Sequence, residues 1–153
     1  PDVRFIFRTH PILPFETIVP KLDGGRALPS NVEISRNAAI EDDFKRSGHL
    51  LYRGSSTAIY GILAGLKAFY LGKPGEMEID PLWELPLWRE HVYSVDEWQA
   101  AYGSDQGRRR SERMREWSDA RAFCERYAQP VRQEAVDRML RLARSERGKA
   151  TEG

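Results

Sequence analysis

Two short polar clusters contain the residues best suited to chemistry, and each directly follows an apolar, strand-like run. The first run is Phe5–Phe7 and the second is Leu50–Tyr52. Guanidinium, imidazole and hydroxyl groups beside a glycine turn are the means by which proteins hold phosphate. The two clusters therefore predict a site for an anion, either a phosphate or a diphosphate. They are Arg8, Thr9 and His10 after the first run, and Arg53, Gly54, Ser55, Ser56 and Thr57 after the second.

The second cluster opens a predicted helix over residues 55–66. Ile59, Ile62 and Leu66 fall on one face at helical spacing. The free N–H groups and partial positive charge of a helix start favour anions. Serine and threonine are also common helix caps, so capping alone is the alternative interpretation. Gly61 and Gly65 lie one turn apart and predict close packing of this helix on a sheet.

Strand-like and helical segments alternate along the first two thirds of the chain. This order predicts an α/β fold, a Rossmann-like and mostly parallel sheet of about five strands flanked by helices, with a C-terminal helical tail. Such sheets bind ligands beyond the carboxyl ends of their strands, where both clusters fall. We expect a partial nucleotide-binding lobe over residues 1–103 and a basic amphipathic tail over 104–153. The predicted strands are 3–8, 31–35, 49–53, 67–71 and 91–95; the predicted helices are 15–22, 40–47, 55–66, 94–102 and 108–147, the last broken at Pro130.

The charge of the chain is unevenly distributed. From Gln106 onward there are 13 Lys/Arg and 8 Asp/Glu, a net charge of +5, which leaves 11 and 15, or −4, for the rest. Acidic residues are interleaved with the arginines, and Trp117, Phe123 and Tyr127 form a stripe. The tail is therefore interpreted as a solvated helix that docks on another domain, with contact to nucleic acid or anionic lipid as the alternative.

Several classes of protein are disfavoured by the sequence. No run reaches the roughly 18 apolar residues of a membrane span. The one cysteine, Cys124, cannot form an internal disulfide, which fits a reducing compartment. No spacing of His, Cys, Asp and Glu resembles a metal site, and neither a metal nor a cofactor is expected. The opening at Pro1, without an initiator methionine, suggests part of a longer protein.

The remaining histidines and carboxylates receive weaker interpretations. His49 and His91 begin predicted strands, away from the ligand edge, and are interpreted as structural. Glu76, Glu78 and Asp80 form an acidic loop after the fourth strand. Glu76 and Asp80 are possible contacts to a ribose or donor, although solvation is the expected state of at least two of the three.

Together these motifs resemble a known family. Phe5-Ile6-Phe7-Arg8-Thr9-His10-Pro11 looks like the HP motif of GT-B-type glycosyltransferases, and the segment from Tyr52 to Tyr60 looks like their SS motif. Such motifs occur in bacterial sialyl- and polysialyltransferases, in Kdo transferases and, in related form, in glycerophosphotransferases. The resemblance covers about residues 3–102 and concerns the C-terminal, nucleotide-binding lobe of surface-polysaccharide enzymes.

The resemblance implies a role for specific residues. His10, Ser55 and Ser56 would bind the phosphate of a nucleotide-linked donor, most often a CMP-sugar, and His10 would be catalytic as a donor to the leaving phosphate. Thr57 and the backbone of Gly54 would add to this site, while Arg8 and Arg53 are included for their charge alone.

The resemblance also implies partners and a location. The partners would be a nucleotide-sugar donor, a glycan acceptor and an N-terminal lobe that carries the catalytic base, and nucleic acid is not expected. The chain alone would then not catalyse transfer. We expect a cytoplasmic protein, peripheral at the inner membrane face. There are two alternatives. One is a nucleotide-sugar epimerase. The other is a non-catalytic nucleotide- or anion-binding module whose basic tail binds a membrane or a partner.

Overall fold

A computed structural model gives the structure of this chain. It describes residues 3–10, 12–18, 28–130 and 132–150, and the side chains of the last helix as far as Arg141. The predicted helix over 15–22 is described to Ile18, and its remainder lies outside the described residues.

The five strands of the described part form two parallel sheets. In the first sheet, β1 pairs with β2, and in the second the strand order is β3-β4-β5. The predicted α/β class with about five strands and a C-terminal helix is confirmed, although the strands form two sheets rather than one. The strands are β1 Phe5–Phe7, β2 Val32–Ile34, β3 His49–Tyr52, β4 Lys67–Leu71 and β5 Arg89–Val92; the helices are α1 Phe15–Ile18, α2 Ile40–Phe44, α3 Thr57–Leu63, α4 Val95–Gln106, α5 Arg110–Glu125 and α6 Gln133–Ala150.

A groove separates the two sheets. Residues of β1 and β3, among them Phe5, Ile6, Leu50 and Leu51, line a common space of about 530 Å³. Within the described ranges no ladder joins β1 to β3. The two strands that precede the polar clusters therefore share a groove rather than backbone hydrogen bonds.

The main core lies between the three-stranded sheet and two helices. Tyr52 and Tyr70 pack with Ile62 of α3, and α5 adds Cys124 to the same cluster. Trp117 of α5 donates from Nε1 to the carbonyl of Ile62 at 2.8 Å. The predicted domain boundary at residue 103 falls inside α4. The first helix of the predicted tail, α5, packs against the same core as α3. Burial raises the pKa of the Cys124 thiol to about 11.

The two glycines of α3 serve different purposes. A Cβ on Gly61 would lie 2.8 Å from Leu50 Cδ2, so the predicted close packing on the sheet is confirmed there. Gly65 has φ +96° and follows the helix, whose last turn it closes through its N–H to Ile62. The helix thus covers residues 57–63 rather than 55–66. Close packing is not the reason for Gly65, since no atom of the described residues lies within 4 Å of an added Cβ.

Two further segments show where local signals succeed and fail. Ser94 caps the start of α4, because its hydroxyl accepts from the N–H of Glu97 at 3.1 Å, and the Glu97 carboxylate reaches back to the N–H of Tyr93 at 2.8 Å. The fifth strand was predicted over 91–95, which is wrong, since it covers Arg89–Val92.

The last helix leaves apolar side chains open to solvent, since Met139 and Leu140 of α6 are exposed. Among the described helices, none has the length and apolarity to cross a membrane.

A buried ionic network ties α4 and α5 to the sheet. Asp105 of α4 is fully buried, and its carboxylate lies 3.0 Å from His49 Nε2, 3.3 Å from Lys67 Nζ and 3.2 Å from Arg113 Nη2. Burial alone would raise the pKa of Asp105, but the His49 hydrogen bond and the two cations hold the pKa below its ordinary value. Lys67, also buried, pairs with Glu90 as well. Removal of Asp105 would leave Lys67 buried with less compensation.

The variant Asp105→Asn tests this network. We expect a loss of about 3–5 kcal/mol in the free energy of unfolding at pH 7, the usual cost of breaking a buried ion pair. Because the folded-state pKa is lowered, the contribution of Asp105 is complete above the unfolded pKa of about 4 and is lost as pH falls through the folded-state pKa. Denaturant titration of both proteins between pH 7 and pH 3 should therefore show the difference shrinking.

The control for this experiment is Asp119→Asn, which removes an exposed carboxylate from α5. Its effect should stay within about 0.5 kcal/mol. Equal effects of the two variants, or a difference that persists unchanged at pH 3, would contradict the role assigned to the network.

Candidate functional site

The turn after β3 is the centre of the candidate site. Gly54 has φ +60°, a left-handed conformation that costs glycine little, and the chain enters α3 at Thr57. An added Cβ at Gly54 would lie 3.6 Å from the carbonyl oxygen of Ile79. A residue with a side chain would have room at position 54, but its backbone would be strained at this positive φ, so glycine is favoured here.

Several hydrogen-bond donors of this turn have no acceptor in the part of the chain that is described. The backbone N–H groups of Gly54, Ser55 and Ser56 make no hydrogen bond there, while Thr57 donates its N–H to Ser55 Oγ at 3.3 Å. The Ser56 side chain does not cap the helix and is exposed. Successive free N–H groups beside a hydroxyl form a concavity suited to an anion. The capping interpretation thus applies to Ser55 alone.

Arg53 adds a cation to this turn. Its guanidinium pairs with Glu76, which also pairs with Lys73, and its side chain is 40% exposed. These partners lower the pKa of the Glu76 carboxyl, with the Lys73 hydrogen bond as the largest cause. The loop after β4 therefore reaches the second polar cluster, and it leaves part of the Arg53 guanidinium open to solvent.

Asp80 anchors the loop after β4 to the sheet. Its carboxylate accepts from Tyr52 Oη at 2.7 Å and from the N–H of Leu82 at 2.9 Å, and it pairs with Arg89. Burial and the bond to Asp80 raise the pKa of Tyr52. Only 2% of the Asp80 side chain is exposed, so a ribose could reach it only if the loop opened. Its predicted donor contact stays a prediction.

A third cluster, which the sequence analysis missed, lies at the carboxyl edge of β5. His91 is the third of four strand residues, so its placement at the start of a strand was wrong. Its Nε2 lies 3.1 Å from Glu78 Oε1 but makes no hydrogen bond among the described residues, whereas Glu78 Oε1 accepts from Tyr93 Oη at 3.1 Å. The His91 and Tyr93 rings stack with centroids 4.4 Å apart. The bond to Glu78 is the main cause that raises the pKa of Tyr93.

The acidic loop thus distributes its three carboxylates to three partners. Glu76 meets Arg53, Glu78 meets His91, and Asp80 meets Tyr52. Glu76 and Glu78 nevertheless stay exposed, with 44% and 40% of their side chains open to solvent, so the solvation expected for at least two of the three is confirmed. The alternation of acidic residues at 76, 78 and 80 was the available signal, but it does not identify partners that lie on other strands.

The first polar cluster is built differently. Arg8 donates from Nη1 to Asp43 Oδ2 at 2.7 Å and to Ser35 Oγ at 3.2 Å, and its Nη1 and Nη2 reach the carbonyls of residues 37 and 38. Burial would raise the pKa of Asp43, but hydrogen bonds from Ser35, Arg8 and Asn37 lower it. Arg8 therefore ties β1 to the segment after β2, and its phosphate contact stays a prediction.

His10 is exposed, and its Nδ1 accepts from the N–H of Ile12 at 3.3 Å. In the described ranges, no hydrogen bond or ion pair joins His10 or Arg8 to Arg53, Ser55 or Ser56. The structure therefore brings Arg53 together with Glu76, but it does not place the two polar clusters in direct contact.

No group of three or more His, Cys, Asp or Glu side chains in the described part is placed to hold a metal ion. Comparison of the chain with protein-family models, with curated proteins and with solved structures gives no match. The interpretation of the site accordingly rests on its own residues and on the two motifs.

The Glu78 cluster, defined as Glu78, His91 and Tyr93, depends on Gly72. An added Cβ at Gly72 would overlap with His91 Nε2 and with the Tyr93 ring. We expect Gly72→Ala to displace these rings and to cost about 1–3 kcal/mol in the free energy of unfolding, as overpacking does. Denaturant titration measures this loss.

Gly48→Ala is the matched control, because nothing lies within 4 Å of its added Cβ. This variant should change the free energy of unfolding by no more than about 0.5–1 kcal/mol. If Gly72→Ala is as stable as Gly48→Ala, the packing described for the cluster is incorrect.

Proposed function

We propose that this chain is the donor-binding lobe of a glycosyltransferase that uses a nucleotide-activated sugar, CMP-linked, in the synthesis of a surface polysaccharide. The observation that carries the proposal is that the N–H groups of Gly54, Ser55 and Ser56 have no acceptor among the described residues and lie beside the exposed Ser56 hydroxyl and Arg53. The resemblance of the HP and SS motifs supports the assignment of this anion site to a donor phosphate.

The change of charge during transfer explains why such a site would accelerate it. In a CMP-sugar the phosphate is a diester with one negative charge. When the bond from the anomeric carbon to the phosphate oxygen breaks, the electron pair stays on that oxygen and the phosphate gains a second charge. Fixed N–H donors and Arg53 bind the product-like charge more strongly than the ground state, which lowers the barrier.

His10 supplies the second half of the proposed site. Because its Nδ1 accepts a hydrogen bond from the N–H of Ile12, the neutral ring carries its proton on Nε2. That N–H is then a donor for the leaving phosphate oxygen. The proposal assigns the base that activates the acceptor to a group outside these residues, as the resemblance implies.

The helix α3 contributes less to this site than its sequence suggested. It has seven residues rather than twelve, so its dipole is smaller. The energetic contribution to phosphate binding therefore comes mainly from the free donors of the turn and from Arg53. Loss of a hydrogen bond to a charged group costs about 1.5–3 kcal/mol, or roughly tenfold or more in affinity.

Calorimetric titration of the 153-residue chain with CMP, CDP, UDP and GDP tests this proposal. We expect CMP or CDP to bind more tightly than UDP or GDP. His10→Ala and the double variant Ser55→Ala/Ser56→Ala should each weaken binding roughly tenfold or more, since each loses donors to a charged phosphate. Ser118→Ala, an exposed serine on α5, is the control and should bind like the unaltered chain.

Two outcomes would contradict the proposal. One is that no nucleotide binds although circular dichroism shows a folded chain. The other is that the His10 and serine variants bind nucleotides as tightly as Ser118→Ala, which would place the nucleotide elsewhere.

A further inference from the structure

A second cavity lies at the amino edge of the three-stranded sheet, opposite the Gly54 turn. It measures about 540 Å³ and lies beside the segment before β4, the residue before β5 and the start of α5. This volume is within the range of about 300–1,000 Å³ typical of small-ligand sites. Its lining contains three arginines, two tryptophans and no acidic residue: Arg108, Arg110, Arg113, Trp88 and Trp117, with Ala64 at the rim.

Two of the arginines are held in place from behind. Arg108 binds Glu116 with both terminal nitrogens, and Arg113 Nη2 lies 3.2 Å from Asp105. The Nε of Arg113 is buried and makes no hydrogen bond in the described part of the chain. Both guanidiniums are therefore preorganised. Arg113 Nε is too deeply buried for a ligand to reach, but Arg113 Nη1 is not buried and makes no hydrogen bond among the described residues.

Arg110 supplies a positive charge that no carboxylate of the described residues pairs with. It is exposed, lies at the first position of α5, and has no ion pair among the described residues. The acidic partners of the other two arginines do not line the cavity. An anion that enters would thus meet cations and N–H donors first.

The walls are rigid and apolar. Trp88 is buried with φ +66°, an unusual conformation for tryptophan, and donates from Nε1 to the carbonyl of Leu66 at 2.9 Å. Trp117 donates its own indole N–H to Ile62. Arg113 lies over the Trp88 ring, 5.6 Å from its centroid. Because Trp88 is only 5% exposed, the apolar surface open to a ligand comes mainly from half-buried Trp117 and exposed Met114.

We propose that this cavity, the Arg–Trp cavity, binds a small aromatic anion, a flat apolar body that carries a phosphate, sulfonate or carboxylate. The anionic group meets Arg110 and Arg113, and the apolar body packs against Trp88, Trp117 and Met114. This site is independent of the proposed donor site, because it lies at the opposite edge of the sheet.

The probe for this proposal is 1-naphthyl phosphate, measured by calorimetric titration of the whole chain. We expect it to bind at least tenfold more tightly than inorganic phosphate, which lacks the apolar body, or 1-naphthol, which lacks the charge. Arg110→Gln should weaken binding roughly tenfold, as expected for a lost charged hydrogen bond. Arg115→Gln, an exposed arginine of the same helix outside the lining, should have no effect.

A second variant blocks the cavity without changing its charge. Ala64→Phe puts a ring into the lining from an exposed position and should abolish binding. Equal binding by Arg110→Gln and Arg115→Gln, equal binding of inorganic phosphate, or unaltered binding by Ala64→Phe would each overturn the proposal. Loss of 1-naphthyl phosphate binding in Ser55→Ala/Ser56→Ala would also overturn it, because the probe would then occupy the donor site.

Discussion

The carboxylate of Asp80 is the contact on which the carboxyl edge of the sheet depends. It accepts a hydrogen bond from Tyr52 at the end of β3 and pairs with Arg89 at the start of β5. It also accepts from the backbone N–H of Leu82, two residues along the chain. A buried carboxylate is tolerated only when such partners satisfy it. Because Asp80 is fixed, the loop that precedes it is also fixed. Glu76 then meets Arg53, just after β3, and Glu78 lies beside His91 of β5. The polar surface of this edge is thus a consequence of one buried ionic contact.

At the amino edge of the sheet, a second buried carboxylate, that of Asp105, is likewise held by cationic and hydrogen-bonding partners. Asp105 is buried among His49, Lys67 and Arg113, and this network brings the start of α5 against the sheet. The Arg–Trp cavity exists because α5 is held there and because Trp117 is anchored on α3. Asp80 and Asp105 thus have different partners, but Asp80 also reaches the amino edge, because its partner Arg89 directly follows Trp88 of the cavity.

The parts of the fold that were predictable from the sequence are those with local causes. The strand over 67–71 was predicted with the bounds it has, since four of its five residues are buried and form one continuous run. The helix start at Ser94 was predicted at the right place and has a local cause, because the donor and acceptor of its cap are three residues apart. The turn at Gly54 was recognised from glycine and serines in succession.

The parts that were missed depend on partners far away in the chain. Arg89 and Glu90 look like loop residues until Asp80 and Lys67 are known to neutralise them, so the start of β5 was placed too late. Arg8 looked like a free cation because Asp43, its partner, lies 35 residues away. Charged residues inside a small sheet cannot be assigned from local patterns, since their cost depends on long-range pairing.

The most direct test of the central claim, that the turn after β3 holds a nucleotide phosphate, is nuclear magnetic resonance of the ¹⁵N-labelled chain during titration with CMP. If this turn holds the phosphate, we expect the largest chemical-shift changes at the amides of Gly54, Ser55 and Ser56, together with changes at the His10 ring. Saturable shifts confined to other residues, with these amides unmoved, would contradict it.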